Sequence, residues 1–430
     1  MNPEEESGFL AMGEEIDGKK YALFTYLIET TLEPKSAAAT LCREQSTALW
    51  NRVGVKEDFR PEHGAKVIGL DVLGESEKPN IELFVKGKKY YRAKVKIAHP
   101  TINFGPKLPN LITAAAGEGA FFCHGINTIK LIDVQLPAEF TKKFEGPKFG
   151  IAGIRKELGV NGRPLFVGVV KPNVGLKPKD FAQLAYEGLL GGLDFAKDDE
   201  MISDVEYSPT KERLEAVMEK VYKAEDKTGE KKMYLVNITD EVYRLEELHD
   251  MVAEHKGHTA VMLNVFTVGL SAARMIARKA KVPLFSHFDF ISTFTRIPFY
   301  GVSSELITKI QRLAGCDAII MPGFGERMMT TESEVKANAK ACLYEMPGIK
   351  KCLPIPGGSD WAGTLRGMHE KLGTTDFAMV PGRGVFGHPM GAEAGARSLR
   401  QAWEAIEKGV SEKEYAKTHL ELRKAYEAFG

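Results

Sequence analysis

From Phe166 onward the chain repeats one pattern: a run of four to seven apolar or β-branched residues, a polar or glycine-bearing loop, then a stretch with apolar positions three and four apart. Short apolar runs bounded by turn residues predict buried strands, and the three-four spacing predicts amphipathic helices, so each repeat predicts one βα unit. The runs are FVGVV (166–170), LDFA (193–196), MYLVNI (233–238), TAVMLNV (259–265), PLFSHF (283–288), DAIIMP (317–322), CLPIP (352–356) and FAMVP (377–381), eight in all. Between them lie helical patterns such as DFAQLAYEGLL, TKERLEAVMEKVYKAE, RLEELHDMVAEH and SSELITKIQRLAG. Eight consecutive units predict a closed (β/α)8 barrel, the TIM-barrel fold, with a doubly wound open sheet as the rival.

The chain up to about residue 145 is patterned differently. YALFTYLIE reads as a strand, LEPKSAAATLCREQSTALW as a helix opened by Pro34, and KVIGLDVL, NIELFVKGKKYYRAKVKIAHP and TIKLIDVQLP as further strands. The expectation is an α/β protein with an N-terminal α+β domain over 1–145 and a barrel domain over 146–430. KKFEGPKFGIAGIRKELGVNGRP joins the two, and the tail from Ser398 extends the barrel domain as helix.

Bulk composition narrows the partners. The 430 residues carry 58 Lys and Arg against 58 Asp and Glu, a formal charge of zero with no basic stripe to track a phosphate backbone, so nucleic acid is not an expected partner. The acidic start MNPEEESGFLAMGEE lacks the order of a signal peptide, and no apolar run is long enough to span a bilayer. These features read as a soluble, cytoplasmic protein without a membrane partner. Five dispersed cysteines without a C-x-x-C pair indicate neither a disulfide framework nor a thiolate zinc site.

In such a barrel the chemistry sits where the strands end. Lys171 and Asn173 follow the first run, Lys197-Asp198-Asp199-Glu200 the second, Asn237 and Asp240 the third, Asn264 the fourth, and the fifth carries His287 and Asp289. After the last two runs stand Gly357-Gly358-Ser359 and Gly382-Arg383-Gly384, where backbone N–H groups can approach an anion. Carboxylates clustered at a strand's mouth make a hard-oxygen site for Mg2+, which Asp199 and Glu200 both reach if the backbone turns after the strand. Lys197 is then a counter-ion, a desolvated base or Schiff-base nucleophile, or a lysine converted by CO2 to a carbamate. Taken singly, an acidic run also opens many solvated helices, Lys171 also fits a surface lysine, His287 a core histidine, and each glycine pair a tight turn. Their convergence on one rim favours an active site.

The decamer Gly191 to Glu200, G-G-L-D-F-A-K-D-D-E, resembles the activation motif of the ribulose-1,5-bisphosphate carboxylase/oxygenase (RuBisCO) large subunit. It is preceded by Lys171-Pro172-Asn173-Val174-Gly175-Leu176, where that family has K-P-K-x-G-L, and the likeness extends to Glu44, Trp50 and Gly387-His388-Pro389. The resemblance implies Mg2+ held by CO2-carbamylated Lys197, Asp199 and Glu200, and Lys171 as acid/base. It also implies at least a homodimer, with Glu44 and Trp50 entering the partner's site.

The departures imply a changed substrate. The family's H-R-x-x-H reads His287-Phe288-Asp289-Phe290-Ile291, its D-H-I-H reads Asp317-Ala318-Ile319-Ile320, and Pro356 replaces the serine before the paired glycines. Phe288 and Ile320 donate no hydrogen bond to an anion, so a distal phosphate loses its binding groups while Gly357, Gly358, Gly382, Arg383 and Gly384 still offer one anion site. The lysine of the sixth-strand loop is missing, with Arg327 the nearest cation; Asn173 replaces a lysine and Glu118 an asparagine. The pattern resembles the RuBisCO-like proteins, form IV. It implies no CO2 fixation but Mg2+-assisted enolisation of a small phosphorylated or sulfur-bearing carbonyl compound, tied to sulfur metabolism or oxidative stress. In that reading Lys171, Lys197, His287 and Glu118 are catalytic, and Glu44, Trp50, Asn173, Arg327 and the glycine rims bind substrate. The alternatives are the 2,3-diketo-5-methylthiopentyl-1-phosphate enolase of methionine salvage, a non-catalytic regulatory or binding protein, and a Schiff-base aldolase.

Overall fold

The structure, a computed structural model, describes residues 3–49 and 51–430. Its strands are β1 (Tyr21–Thr30), β2 (Lys66–Ser76), β3 (Tyr90–Pro100) and β4 (Ile126–Gln135), then β5 (Leu165–Val169), β6 (Phe195–Lys197), β7 (Met233–Asn237), β8 (Thr259–Leu263) and β9 (Leu284–Ser286). The two-residue β10 (Gly301–Val302), β11 (Ala318–Pro322), β12 (Leu353–Gly357) and β13 (Ala378–Met379) complete the set among the described residues.

Two compact units result. The first comprises Met1–Phe144 with Phe290–Ile310 and Met346–Ile349. Its five-stranded sheet has the order β10-β4-β1-β3-β2, antiparallel except for β10, which pairs in parallel with β4 through Gly301↔Lys130. A division at residues 145/146 therefore omits segment 290–310, which joins the first unit because β10 adds to its sheet edge and Lys130 Nζ donates to the carbonyls of Thr295 and Ile297 at 2.8 Å each. Two further expectations change here. The helix opened by Pro34 ends at Glu44, short of Trp50, which lies outside the described residues. The strand expected to begin near Asn80 begins at Tyr90: the stretch before it enters no strand pairing among the described residues, and Phe84 is 99% exposed.

The second unit, Glu145–Asp289, Gln311–Glu345 and Lys350–Gly430, contains the eight-stranded parallel sheet β12-β11-β9-β8-β7-β6-β5-β13. β12 and β13 also approach within 8 Å, Cα to Cα, closing the sheet into a barrel. All eight apolar runs became strands of it, with no end shifted by more than two residues.

Alternation along the strands sorts side chains between two layers. Leu165, Val167, Phe195, Leu235, Met262, Phe285, Ile320 and Ile355 fill the barrel interior, while Phe166, Ala196, Tyr234, Val236, Val261 and Ile319 pack outward against the helices. The joining segment forms a helix over Gly150–Leu158, whose Ile151, Ile154 and Leu158 belong to the interior layer. Asp317 anchors its start, accepting from the amides of Phe149 (2.6 Å) and Gly150 (2.7 Å) and, with its other oxygen, of Leu284 (2.9 Å). Burial outweighs those three donors and pushes the Asp317 carboxyl up to about 6.

Candidate active site

Strand parity explains the K-D-D-E run. β6 is in register with β5 (Val169↔Lys197) and β7 (Lys197↔Leu235). Phe195 faces the barrel interior, its ring 5.4 Å from that of Phe285, and Ala196 faces the helices. Lys197, two positions after Phe195, therefore follows it inward, and Asp198 turns outward.

Asp198 is wholly buried and serves the scaffold. Its oxygens meet Nε and Nη2 of Arg213 at 3.1 and 3.2 Å, the Tyr234 hydroxyl at 2.5 Å and the Asn237 amide at 2.9 Å. The chain then bends, and the Asn237 side-chain amide donates to the carbonyls of Glu200 (3.0 Å) and Ile202 (2.9 Å) while Asn264 donates to Glu200 (3.1 Å). These bonds fix the turn that carries Asp199 and Glu200.

Inside the barrel mouth charges alternate. Lys171 Nζ, from the end of β5, lies 2.8 Å from Asp199 Oδ2 and 2.7 Å from Asn173 Oδ1. Lys197 Nζ, with no exposed surface, donates to the Asp198 carbonyl at 2.8 Å and to Glu200 Oε2 at 3.1 Å. His287 Nε2 is 3.4 Å from the same Glu200 oxygen, and its Nδ1 is 3.3 Å from Asp289 Oδ1. Burial alone would raise the Glu200 carboxyl; the Lys197 ammonium and His287 outweigh it and hold it down at about 2.

Lys171, Asn173, Lys197, Glu200, His287, Arg327, Gly357, Gly358, Gly382, Arg383 and Gly384 all line one cavity of about 610 Å3. Phe288, stacked on the His287 ring at 4.6 Å, and Ile320 supply an apolar part of its wall. The glycines are there for contact: a Cβ on Gly382 would lie 2.8 Å from Lys171 Cε, and one on Gly358, at φ +144°, 2.3 Å from Met328. The Arg383 guanidinium sits 5.9 Å from the Phe429 ring centre, and that residue shares the lining. Asp199 joins the site through Lys171. Glu44, beside Arg43, and the exposed Glu118 are residues of the first unit and not of this lining set.

Sequence reasoning passed over Asp360, Trp361, Met328 and Phe429, which line the same cavity. Asp360 had one signal, its place just after a Gly-Gly-Ser turn on the anion rim; Phe429 had none, being 46 residues from Arg383 in the chain.

The sequence profile of the ribulose bisphosphate carboxylase large chain matches in two parts, its N-terminal domain over residues 17–140 and its catalytic domain over 150–429. The ribulose bisphosphate carboxylase-like protein of Chlorobaculum tepidum is 52% identical over 424 residues, 98% of this chain and 97% of its own. The chain belongs to the RuBisCO large-chain family, in its RuBisCO-like, form IV branch. A dimeric archaeal Rubisco from Hyperthermus butylicus superposes with a TM-score of 0.88 at 30% identity, covering 99% of each chain. The family is not confined to carboxylation: the 3-oxo-isoapionate-4-phosphate decarboxylase of Rhizobium etli is 33% identical over 405 residues, 93% of this chain and 96% of its own. No helix among the described residues is long and apolar enough to cross a membrane.

The donor set fits a hard divalent cation. Asp199 pairs with the Lys171 ammonium at 2.8 Å and Glu200 with that of Lys197 at 3.1 Å, so each carboxylate offers a hard oxygen that already meets a cation. Carbamylation would exchange the Lys197 ammonium for an anionic oxygen donor and free Glu200 from its ion pair. Lys197, Asp199 and Glu200 are the residues that would then hold Mg2+.

Proposed function

We propose that this chain is a Mg2+-dependent enolase or keto–enol isomerase that does not fix CO2, acting on a small monophosphorylated or sulfur-bearing carbonyl compound. The observation that carries the reading is the meeting of Lys171, Lys197, Glu200 and His287 in one cavity that also includes Phe288 and Ile320. An enolisation needs a group that exchanges a proton at a carbon beside a carbonyl, and a cation for the charge that develops on oxygen. Mg2+, which Asp199, Glu200 and a carbamylated Lys197 would hold, would supply that Lewis acid.

The chain's own residues do the rest. Lys171, steered by Asn173 and Asp199, moves the proton at carbon. His287, oriented between Glu200 and Asp289, serves the carbonyl oxygen. Gly357, Gly358, Gly382, Gly384 and Arg383 receive the phosphate, with Arg327 flanking it, while Phe288 and Ile320 accept an apolar or thioether tail that desolvates on binding. Such a tail suits a sulfur compound and supports a place in sulfur metabolism or the oxidative-stress response. Glu44, Trp50 and the second candidate base Glu118 would complete the site from a partner in a homodimer, a reading supported by the dimeric structural relative. A cytoplasmic setting fits the small-molecule chemistry.

The test is Mg2+- and bicarbonate-dependent exchange of α-protons, followed by NMR, across phosphorylated and thioether-bearing ketones. Exchange that disappears in Lys197→Ala is expected. Silence across the panel by a protein that still binds Mg2+ would transfer the assignment to a regulatory or binding role.

A further inference from the structure

The anion rim contains a carboxyl group where an anion should be repelled. Asp360 follows β12 after Gly358, at φ +144°, and Ser359, at φ +60°, a bend that returns the chain to the rim. The residue is 6% exposed and lines the cavity with Gly357, Gly358, Gly382, Arg383 and Gly384. One oxygen accepts from the Val380 amide at 3.3 Å, and the Gly358 amide is a further donor toward the group. Among the described residues Asp360 makes no ion pair with Lys or Arg. The rim is otherwise built to draw anions, and it presses close: a Cβ on Gly384 would lie 2.3 Å from the Asp360 carbonyl.

We propose that Asp360 sets the specificity of this rim as a neutral carboxylic acid, donating a hydrogen bond to one oxygen of a bound phosphate or sulfate-like group and turning that group away when ionised. Burial without a cationic partner favours the neutral form and pushes the group up to about 7, against the pull of the Val380 and Gly358 amides. Binding therefore carries one proton. A permanently dianionic ligand should lose about tenfold in affinity per pH unit above that point. The other ionisable side chains of the cavity are Lys171, Lys197, Glu200, His287, Arg327 and Arg383, and Tyr426 packs edge-on against neighbouring Trp361 at 5.0 Å. The inference rests on the rim being the phosphate end proposed above, but binding needs neither turnover nor Mg2+, so it succeeds or fails separately from the enolase reading.

The probe is inorganic sulfate, a dianion throughout the range, titrated calorimetrically into the full chain with EDTA between pH 5.5 and 8.5. Wild type should lose at least tenfold in affinity across that range, and Asp360→Asn, which keeps a donor, should hold its affinity within about threefold. In wild type, a 13C-carboxyl resonance that titrates near neutral pH and is absent from Asp360→Asn should stay protonated when sulfate saturates the site; this reading does not depend on the variant's stability. Parallel loss of affinity in both proteins, an Asp360 resonance that titrates in the ordinary carboxylate range, or no sulfate binding at any pH would overturn the proposal.

Discussion

Replacing Asp198 with alanine should damage the site without removing any group that faces the cavity. The substitution leaves the Arg213 guanidinium wholly buried without its carboxylate and takes the acceptor from the Tyr234 hydroxyl and the Asn237 amide. Breaking a buried ion pair from one side costs about 3–5 kcal/mol, and the two lost hydrogen bonds draw on the same deficit, so they do not add a further full share. Against a typical stability of about 5–15 kcal/mol, that is a large fraction. Urea unfolding of wild type, Asp198→Ala and the double variant Asp198→Leu/Arg213→Met measures it. The single variant should lose about 3–5 kcal/mol, and the double variant should recover more than half, because an apolar pair needs no compensation in that position. Asn237 also braces Glu200, so Mg2+ affinity measured by calorimetry should fall at least tenfold in Asp198→Ala. A single-variant loss under about 1 kcal/mol would refute the assignment of Asp198 to the scaffold.

Glu200 and Gly382 give two further tests. The Glu200 carboxyl is depressed to about 2, so its contribution is complete above its ordinary value near 4.5 and is lost as pH falls through about 2. The fall from 4.5 to about 2 corresponds to about 3 kcal/mol, so the urea-midpoint advantage of wild type over Glu200→Gln should shrink from pH 5 to pH 3; a constant difference contradicts the Lys197–Glu200 pairing. Gly382→Ala places a methyl 2.8 Å from the flexible end of Lys171, which can swing aside. Stability should change by less than about 1 kcal/mol while α-proton exchange drops at least tenfold, and unchanged exchange would remove Lys171 from the chemistry.

The barrel was legible because each of its strands is an apolar run that ends at a loop or glycine, a signal local to the strand itself. β10 was not, since two residues carry no period and their pairing with β4 depends on chain 171 residues away. The 80–89 stretch misled for the opposite reason: IELFV has strand-like composition, but composition does not supply a neighbouring strand, and Phe84 remains in solvent. At the site, the K-D-D-E run announced its lysine and carboxylates, and period-two alternation separates Asp198 from Asp199 once β6 is known to end at Lys197. The partner of Asp198, Arg213, sits in a helix that reads as an ordinary amphipathic surface. Asp360 was silent because its character comes from burial, which no single position of the sequence reports.

Whether Lys197 becomes a metal-binding anion is read by 13C NMR of the protein with labelled bicarbonate and Mg2+. A labelled carbamate resonance that strengthens with Mg2+ and is absent from Lys197→Ala is expected. Mg2+ binding with no such resonance, or the same resonance in Lys197→Ala, would overturn the assignment of Lys197.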